Sequence, residues 1–490
     1  MSMFSPEKQF AQTQDEYMST AALPNAVKYS QLQPRAVSGR ASVRRYQSSN
    51  GTVFNPATNN IIRIDVTGDK YSFLDGGNSY LSIQINTAGG VASQQLDGGI
   101  WSIIRSLKIE SMTGVELERI DNYNLLHNKL FQYQTPASHL PISNATSGTV
   151  SGLGHIRGDL AGNNVPNGIG ANFLPTQNGA LVAGSTSGAA ILAAGNTITL
   201  TMPLVSGFLS NSNSKYVPIG SSSGFVIEIQ LENAITAFRT AAGNAPLYTV
   251  QNISYNAPIV YITGSDFQQN WTNLLMSTGG VAWSGTTYSN HVDAIAGGTN
   301  GPVVLNINER CRSLNSLITI LRTTANVQAS NAGSLSNSTL SDAATAGNFQ
   351  YRCGDVLFPP SVVQFVNTAS ISPSLIDGVT VYGAQNVSTA YCELLKAFGM
   401  LHGKNEGSLV GLGQYANVEA VQGCGMFGVD LEAYLADAGI SESGIDTATN
   451  ALSTSFEATL VLGANTRVDT YAMKTAIYHL SSDGSFSVSK

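Results

Sequence analysis

The chain has 490 residues, a formal net charge of −7 and 42% apolar residues, which is enough for sizeable cores and excludes the disordered class, where few apolar residues go with high net charge. Only 11% of the residues are charged, against about 25% in soluble domains, so much of the surface is expected to lie against neighbours, and the acidic balance speaks against one broad nucleic-acid platform. No run reaches the roughly 18 unbroken apolar residues of a membrane-spanning helix, and the opening MSMFSPEKQF lacks the apolar core of a signal peptide.

Residues 1–45 carry Lys8, Lys28, Arg35, Arg40, Arg44 and Arg45 against Glu7, Asp15 and Glu16, with no sustained period of 2 or 3.6. This predicts an extended basic arm. It is either a plain tail or a segment that docks on neighbours, nucleic acid or a membrane surface.

Strand patterns begin at Asn60. Ile62, Ile64 and Val66 share one face of IIRIDV, with Arg63 and Asp65 opposite. SYLSIQIN, RSLKIE, TITLTM and FVIEIQLE alternate in the same way, which marks antiparallel sheets with one buried face. ELERIDNYNLLHNKLF interrupts them, with Leu117, Ile120, Leu125 and Leu130 near helical spacing. A Gly/Asn/Ser-rich loop at 135–196 follows, long enough to be functional or mobile. DFQQNWTNLLM predicts a linker helix over 266–279, and Gly279-Gly280 marks a domain boundary. The first sandwich is therefore expected over 46–265 and the second over 280–490.

The second half replays the first. VVLNIN alternates, and SLITIL is apolar on both faces and predicts a covered central strand. FQYRCGDVLFPP reads as a strand ending in a proline pair, since proline cannot donate to a ladder. STAYCELLKAFGML is a clear helix, with Tyr391, Leu394, Leu395 and Phe398 on one stripe. A Gly-rich loop at 403–425 precedes the strand-like FGVDLEAY, SFEATLVL, TYAMKTAIYHL and FSVS. By length alone three small domains fit as well as two large sandwiches. The duplicated order argues for an all-β fold of two tandem β-sandwiches with a short helix in each, and the long loops suit sandwiches of the jelly-roll type, eight-stranded in each half.

Catalytic constellations are not found. His127, His139, His155, His291, His402 and His479 are scattered, with no HxH or HExxH pair. Gly220, Ser222 and Gly224 form a GxSxG match, but it leads into a strand, whereas a nucleophile elbow leads into a helix. The phosphate-loop spacing fails near Gly403-Lys404, where Phe398 occupies the first glycine position and Asn405 the Ser/Thr position. Gly411-Leu412-Gly413 lacks the third glycine of a dinucleotide fingerprint. Cys311, Cys353, Cys392 and Cys424 lie far apart without a CxxC pair and are expected to be free, buried thiols of a protein made in a reducing compartment. Of the sequons at Asn50, Asn144, Asn252, Asn270, Asn337 and Asn386, Asn144 in the long loop is the one plausible surface site, while Asn252 and Asn270 flank strand and helix patterns where a glycan fits poorly. No catalytic, cofactor-binding or metal-ligating residue is nominated, and no cofactor is expected.

The run FLDGGNSYLSIQI, then SIIRSLKIESMTGVELERIDNYNLLH, resembles the start of the first jelly roll in double jelly-roll major capsid proteins of icosahedral DNA viruses. RSLNSLITILR, FQYRCGDVLFPP, AYCELLKAFG, FGVDLEAY and DGSFSVSK resemble the second jelly roll in the same order. The resemblance covers roughly 45–490 and is nearest to polinton-like virus and virophage capsid proteins. It implies a structural protein of the virion and not an enzyme: a pseudo-hexameric homotrimer tiling a shell, made and assembled in the host cell. The 135–196 loop would form an outward tower. The arm would face inward, to an internal membrane or the genome, and minor capsid and penton proteins would be partners. The alternative from another class is a viral spike, fibre or lectin-like sandwich that binds a host surface.

Overall fold

The computed structural model describes residues 39–87, 93–136, 139–148, 191–193, 195, 197–209, 215–240, 246–324, 344–366, 374–376, 379–381, 388–400, 415, 426–432, 443–449 and 452–490. In the first half the principal strands are β1 (Gly39–Gln47), β2 (Ile61–Val66), β3 (Tyr80–Asn86), β4 (Ile104–Ser111), β5 (Glu116–Asp121), β6 (Thr197–Met202), β7 (Phe225–Leu231) and β8 (Thr249–Ile262). They pair antiparallel in two sheets, ordered β1-β8-β3-β6 and β2-β7-β4-β5. In the second half they are β9 (Gly280–Ile295), β10 (Asn300–Ile307), β11 (Leu314–Thr323), β12 (Ala344–Cys353), β13 (Val356–Val366), β14 (Met426–Asp430), β15 (Thr454–Leu462) and β16 (Thr466–Ser481). Their sheets run β9-β16-β11-β14 and β10-β15-β12-β13, the first half's order with every number raised by eight. This is a jelly roll built twice. A closing strand, β17 (Phe486–Ser489), adds to β16.

The alternation that defines the strands also fills the cores. Ile62, Ile64 and Val66 of β2, Leu81, Ile83 and Ile85 of β3, Leu107 and Ile109 of β4, and Ile227 and Ile229 of β7 are all fully buried. A register slip by one residue would turn each of these sets to solvent, so the pattern pins the pairing. β11 lies between β16 and β14 and is buried from Leu314 to Arg322, as SLITIL predicts.

Among the described residues, four helices of eight residues or more punctuate the strands: α1 (Tyr123–Gln134), α2 (Leu140–Ser147), α3 (Ser265–Thr278) and α4 (Ser388–Ala397). α1 follows β5 as α4 follows β13, which extends the duplication to the helices. α4 packs Ala390, Leu394 and Ala397 against the strands, and burial of a side chain like Leu394 is worth about 1.5–3 kcal/mol. The close approach requires glycine on β14, because a Cβ at Gly428 would lie 2.9 Å from Ala397 and from Leu394.

Four expectations need correction. Residues 39–45, read as arm, are sheet: β1 pairs with β8 from Gly39↔Ile262 onward, and backbone pairing overrides its arginine-rich composition. Glu116–Asp121, read as helix, is strand β5, and the helix begins only at Tyr123. The proline pair does not end a strand. The chain turns at Gly354-Asp355, and β13 then runs through Pro359 and Pro360, where it is the sheet edge and its register to β12 shifts, so neither missing N–H leaves a broken ladder. The 135–196 loop contains α2 and a short strand, Ile191–Ala193, while 149–190 lies outside the described residues, as does the loop at 403–425 apart from Tyr415.

Candidate assembly surface

The two sandwiches meet along one buried seam. β5 is followed by Asn122, which takes a left-handed φ of 49°, a conformation Asn tolerates better than most residues, and this turns the chain into α1. The Asn122 amide donates to Asn290 Oδ1 at 2.8 Å and to Asp469 Oδ1 at 3.3 Å, and its carbonyl accepts from the Tyr471 hydroxyl at 2.8 Å. Asp469 is fully buried on β16 and also accepts from Arg322 at 2.6 Å and Arg467 at 3.0 Å. Burial alone would raise its carboxyl, but the two guanidinium groups outweigh burial and hold it below the usual carboxylate range.

A second contact is built from Glu118 of β5. Its buried carboxylate accepts from the Ser206 hydroxyl and from the Gly207 amide at 2.8 Å, which fixes the turn after β6. That turn presents Phe208 to the other sandwich. The ring packs edge-on against Tyr478 (5.3 Å) and Phe486 (5.6 Å), and the Phe208 carbonyl accepts from the Trp283 indole. The backbones nearly touch, since a Cβ at Gly285 would come 1.9 Å from the Gly207 carbonyl oxygen. Further along, Tyr133 of α1 stacks on Phe398 at 5.0 Å.

The first sandwich thus offers β5, α1 and the 204–209 turn, and the second offers β9, β16 and β17. Each half also holds the counterpart of the other's surface, and the edge strands of those counterparts, β1 and β13, carry exposed apolar side chains. β9 buries its middle, Trp283 to Gly285 with Thr287 and Tyr288, whereas its equivalent β1 is exposed from Gly39 to Val43, with Val43 66% accessible. β5 buries Leu117, Glu118 and Ile120, whereas its equivalent β13 exposes Val356 (55%) and Val362 (46%).

The residues weighed for chemistry are not brought together. Ser222 donates to the Ile219 carbonyl and accepts from the Gly224 amide, and the chain runs on into β7. His127 stacks on Trp101 at 4.4 Å, and burial pushes its pKa down to about 4, so it is a neutral core residue. His139 and His479 are exposed, His291 contacts Glu309 at 3.0 Å, and His155 and His402 lie outside the described residues. Cys311 and Cys353 are buried free thiols, each pushed up to about 11 by burial. Cys392 is free but half-buried, and Cys424 lies outside the described residues, with Lys404 and Gly411. Asn252 and Asn270 are exposed, so poor fit is not what argues against glycans there. The Asn50 amide is committed to Ile61 and Arg63. The Asn144 side chain, Asn337 and Asn386 lie outside the described residues. Among the described residues there is no group of three His, Cys, Asp or Glu that could hold a metal, and no helix long and apolar enough to cross a membrane.

No protein-family model and no curated protein matches the chain. Solved structures match its shape. A chain in the cryo-EM structure of the Sputnik virophage superposes with a TM-score of 0.55 at 12% identity, covering 100% of this chain and 92% of that one. The Faustovirus major capsid protein gives 0.53 at 9% identity, covering 94% and 93%. A chain of the quasi-atomic PBCV-1 virus capsid gives 0.51 at 9% identity, covering 94% and 99%. Over nearly its whole length, this chain has the fold of the Faustovirus major capsid protein and of chains from the Sputnik virophage and the PBCV-1 capsid.

Proposed function

We propose that this chain is a major capsid protein: a structural, non-enzymatic subunit that assembles as a homotrimer of pseudo-hexameric outline and tiles an icosahedral viral shell. The observation that carries this is the twice-built jelly roll, shared over 94% of this chain with the Faustovirus major capsid protein. The low charge supports it, since a tile meets neighbours on many sides.

The seam inside the chain supports the trimer. It is a head-to-tail contact between two sandwiches of the same topology, and head-to-tail contacts close into rings when the rotation allows. If β13 of one chain meets β1 of the next as β5 meets β9 within a chain, three chains bring six sandwiches into one ring. In the shell, the 135–196 loop would point outward and the N-terminal segment inward, toward a membrane, the genome or minor capsid proteins, with penton proteins at the vertices. Synthesis and assembly belong to the host cell.

Native mass spectrometry at micromolar concentration tests this. The wild type is expected as a trimer. Val43→Asp and Val362→Asp, on opposite ends of the contact, are each expected to give folded monomers. Mixed together they should form a heterodimer, because one intact surface remains on each partner. Trimeric single variants, or a mixture that stays monomeric, would show that the contact lies elsewhere.

A further inference from the structure

Helix α3 joins the sandwiches, yet it buries none of its fourteen residues. Phe267, Trp271 and Leu274 fall on one stripe at helical spacing, and such a stripe ordinarily packs against a partner. Here it is only half covered. Phe73 meets Trp271 edge-on at 5.0 Å and Phe267 at 5.9 Å, and the Trp271 indole donates to the Ser221 hydroxyl at 2.9 Å. Leu274 and Met276 stay 43% and 71% exposed. Beneath the helix lies an apolar cavity of about 390 Å3, lined by Phe73, Tyr216, Ile262, Phe267, Trp271 and Trp283 among others. That is near the small end of ligand pockets, about 300–1,000 Å3, and suits a few apolar side chains better than a large ligand.

The entry of the chain into the fold lies beside this cavity. β1 begins at Gly39, whose register partner on β8 is Ile262, itself a wall residue. β1 and β8 are antiparallel, so the Gly39 end of β1 lies at the end of β8 from which the chain runs on to α3. Arg40 marks the turn-in, with its guanidinium 5.0 Å from the centre of the Tyr261 ring. Residues 1–38 lie outside the described residues, and the part nearest Gly39 is apolar at Tyr29, Leu32 and Val37 with only Arg35 charged between them. A segment tethered this closely competes at about millimolar effective concentration.

We propose that residues 29–37 of the same chain dock their apolar side chains into the α3 cavity and cover the Phe267–Trp271–Leu274 stripe. The N-terminal segment would then strap the linker between the two sandwiches, a role independent of any capsid function.

Two measurements on the full-length chain test it together. The first is acrylamide quenching of tryptophan emission. Trp271 and Trp283 line the cavity, and Trp101 is buried in the first core. The combined variant Tyr29→Ser, Leu32→Ser, Val37→Ser should raise quenching and red-shift the emission, with far-UV circular dichroism unchanged. The second pairs Leu32→Cys with Leu274→Cys under mild oxidation. It should give a cross-link within one chain that persists on dilution. Unchanged quenching overturns the proposal. So does failure of the cross-link, or a cross-link found only between chains, which would assign the cavity to a second copy.

Discussion

The Asn122 side-chain amide donates to the buried Asp469 carboxylate across 347 positions of sequence and ties the end of β5 to β16. Asp469 is at once the counter-ion of Arg322 and Arg467 and the anchor of the other sandwich. Removing it takes away the buried carboxylate to which Arg322 and Arg467 both donate. Asp469→Ala is therefore expected to cost about 3–5 kcal/mol, measured by urea denaturation against the wild type. A loss below 1 kcal/mol would show that water or another acid takes its place.

Acid sensitivity is expected from Glu309. Burial would raise its carboxyl, but hydrogen bonds from His291, Lys474 and Ser289 and the Lys474 charge bring it down to about 2. The unfolded value is about 4.3. A lowered folded value means the stabilisation is fully present above about pH 4.3 and is lost as pH falls toward 2. Glu309→Gln should thus be less stable than the wild type at pH 7, and the gap should shrink between pH 4.3 and 2. A gap independent of pH would place the effect elsewhere.

Ile320 is fully buried on the central strand β11. Ile320→Asp would leave a carboxylate without a partner, at a cost of several kcal/mol, and should abolish soluble yield. Normal yield would contradict the strand assignment.

The close approach of Gly285 to Gly207 makes Gly285→Ala an overpacking change, expected to cost about 1–3 kcal/mol in thermal or urea unfolding. Gly264→Ala, where an added Cβ meets nothing within 4 Å, is the control and should be near neutral.

The two ends of the N-terminal stretch should behave differently. Deleting 1–38 removes residues ahead of the sheet and should leave the trimer seen by native mass spectrometry intact. Deleting 1–49 also removes β1, the edge of the β1-β8-β3-β6 sheet and the bare counterpart of β9, and should abolish the trimer.

Strands with one wet face were legible because period two is written locally, as in β2, where burial alternates residue by residue. β11 was legible because a strand covered on both sides is apolar throughout. β5 was not. Leu117 and Ile120 are three apart, as on a helix, and the burial of Glu118 follows from the Ser206–Phe208 turn, which no local pattern announces. β1 was missed because its pairing comes from β8, more than two hundred residues away, while its own composition is that of a tail. The assembly surface was illegible for the same reason. Asn122, Phe208 and Gly285 matter through partners in the other sandwich, and a lone Asn or Gly gives no sign of that.

The most direct test of the capsid role is a cryo-EM reconstruction of particles assembled from this protein. Pseudo-hexameric capsomers forming the continuous shell, each fitted by three copies of the double jelly roll, are the predicted result. Density for this chain only in projections at the vertices or in fibres, with another protein forming the shell, would contradict it.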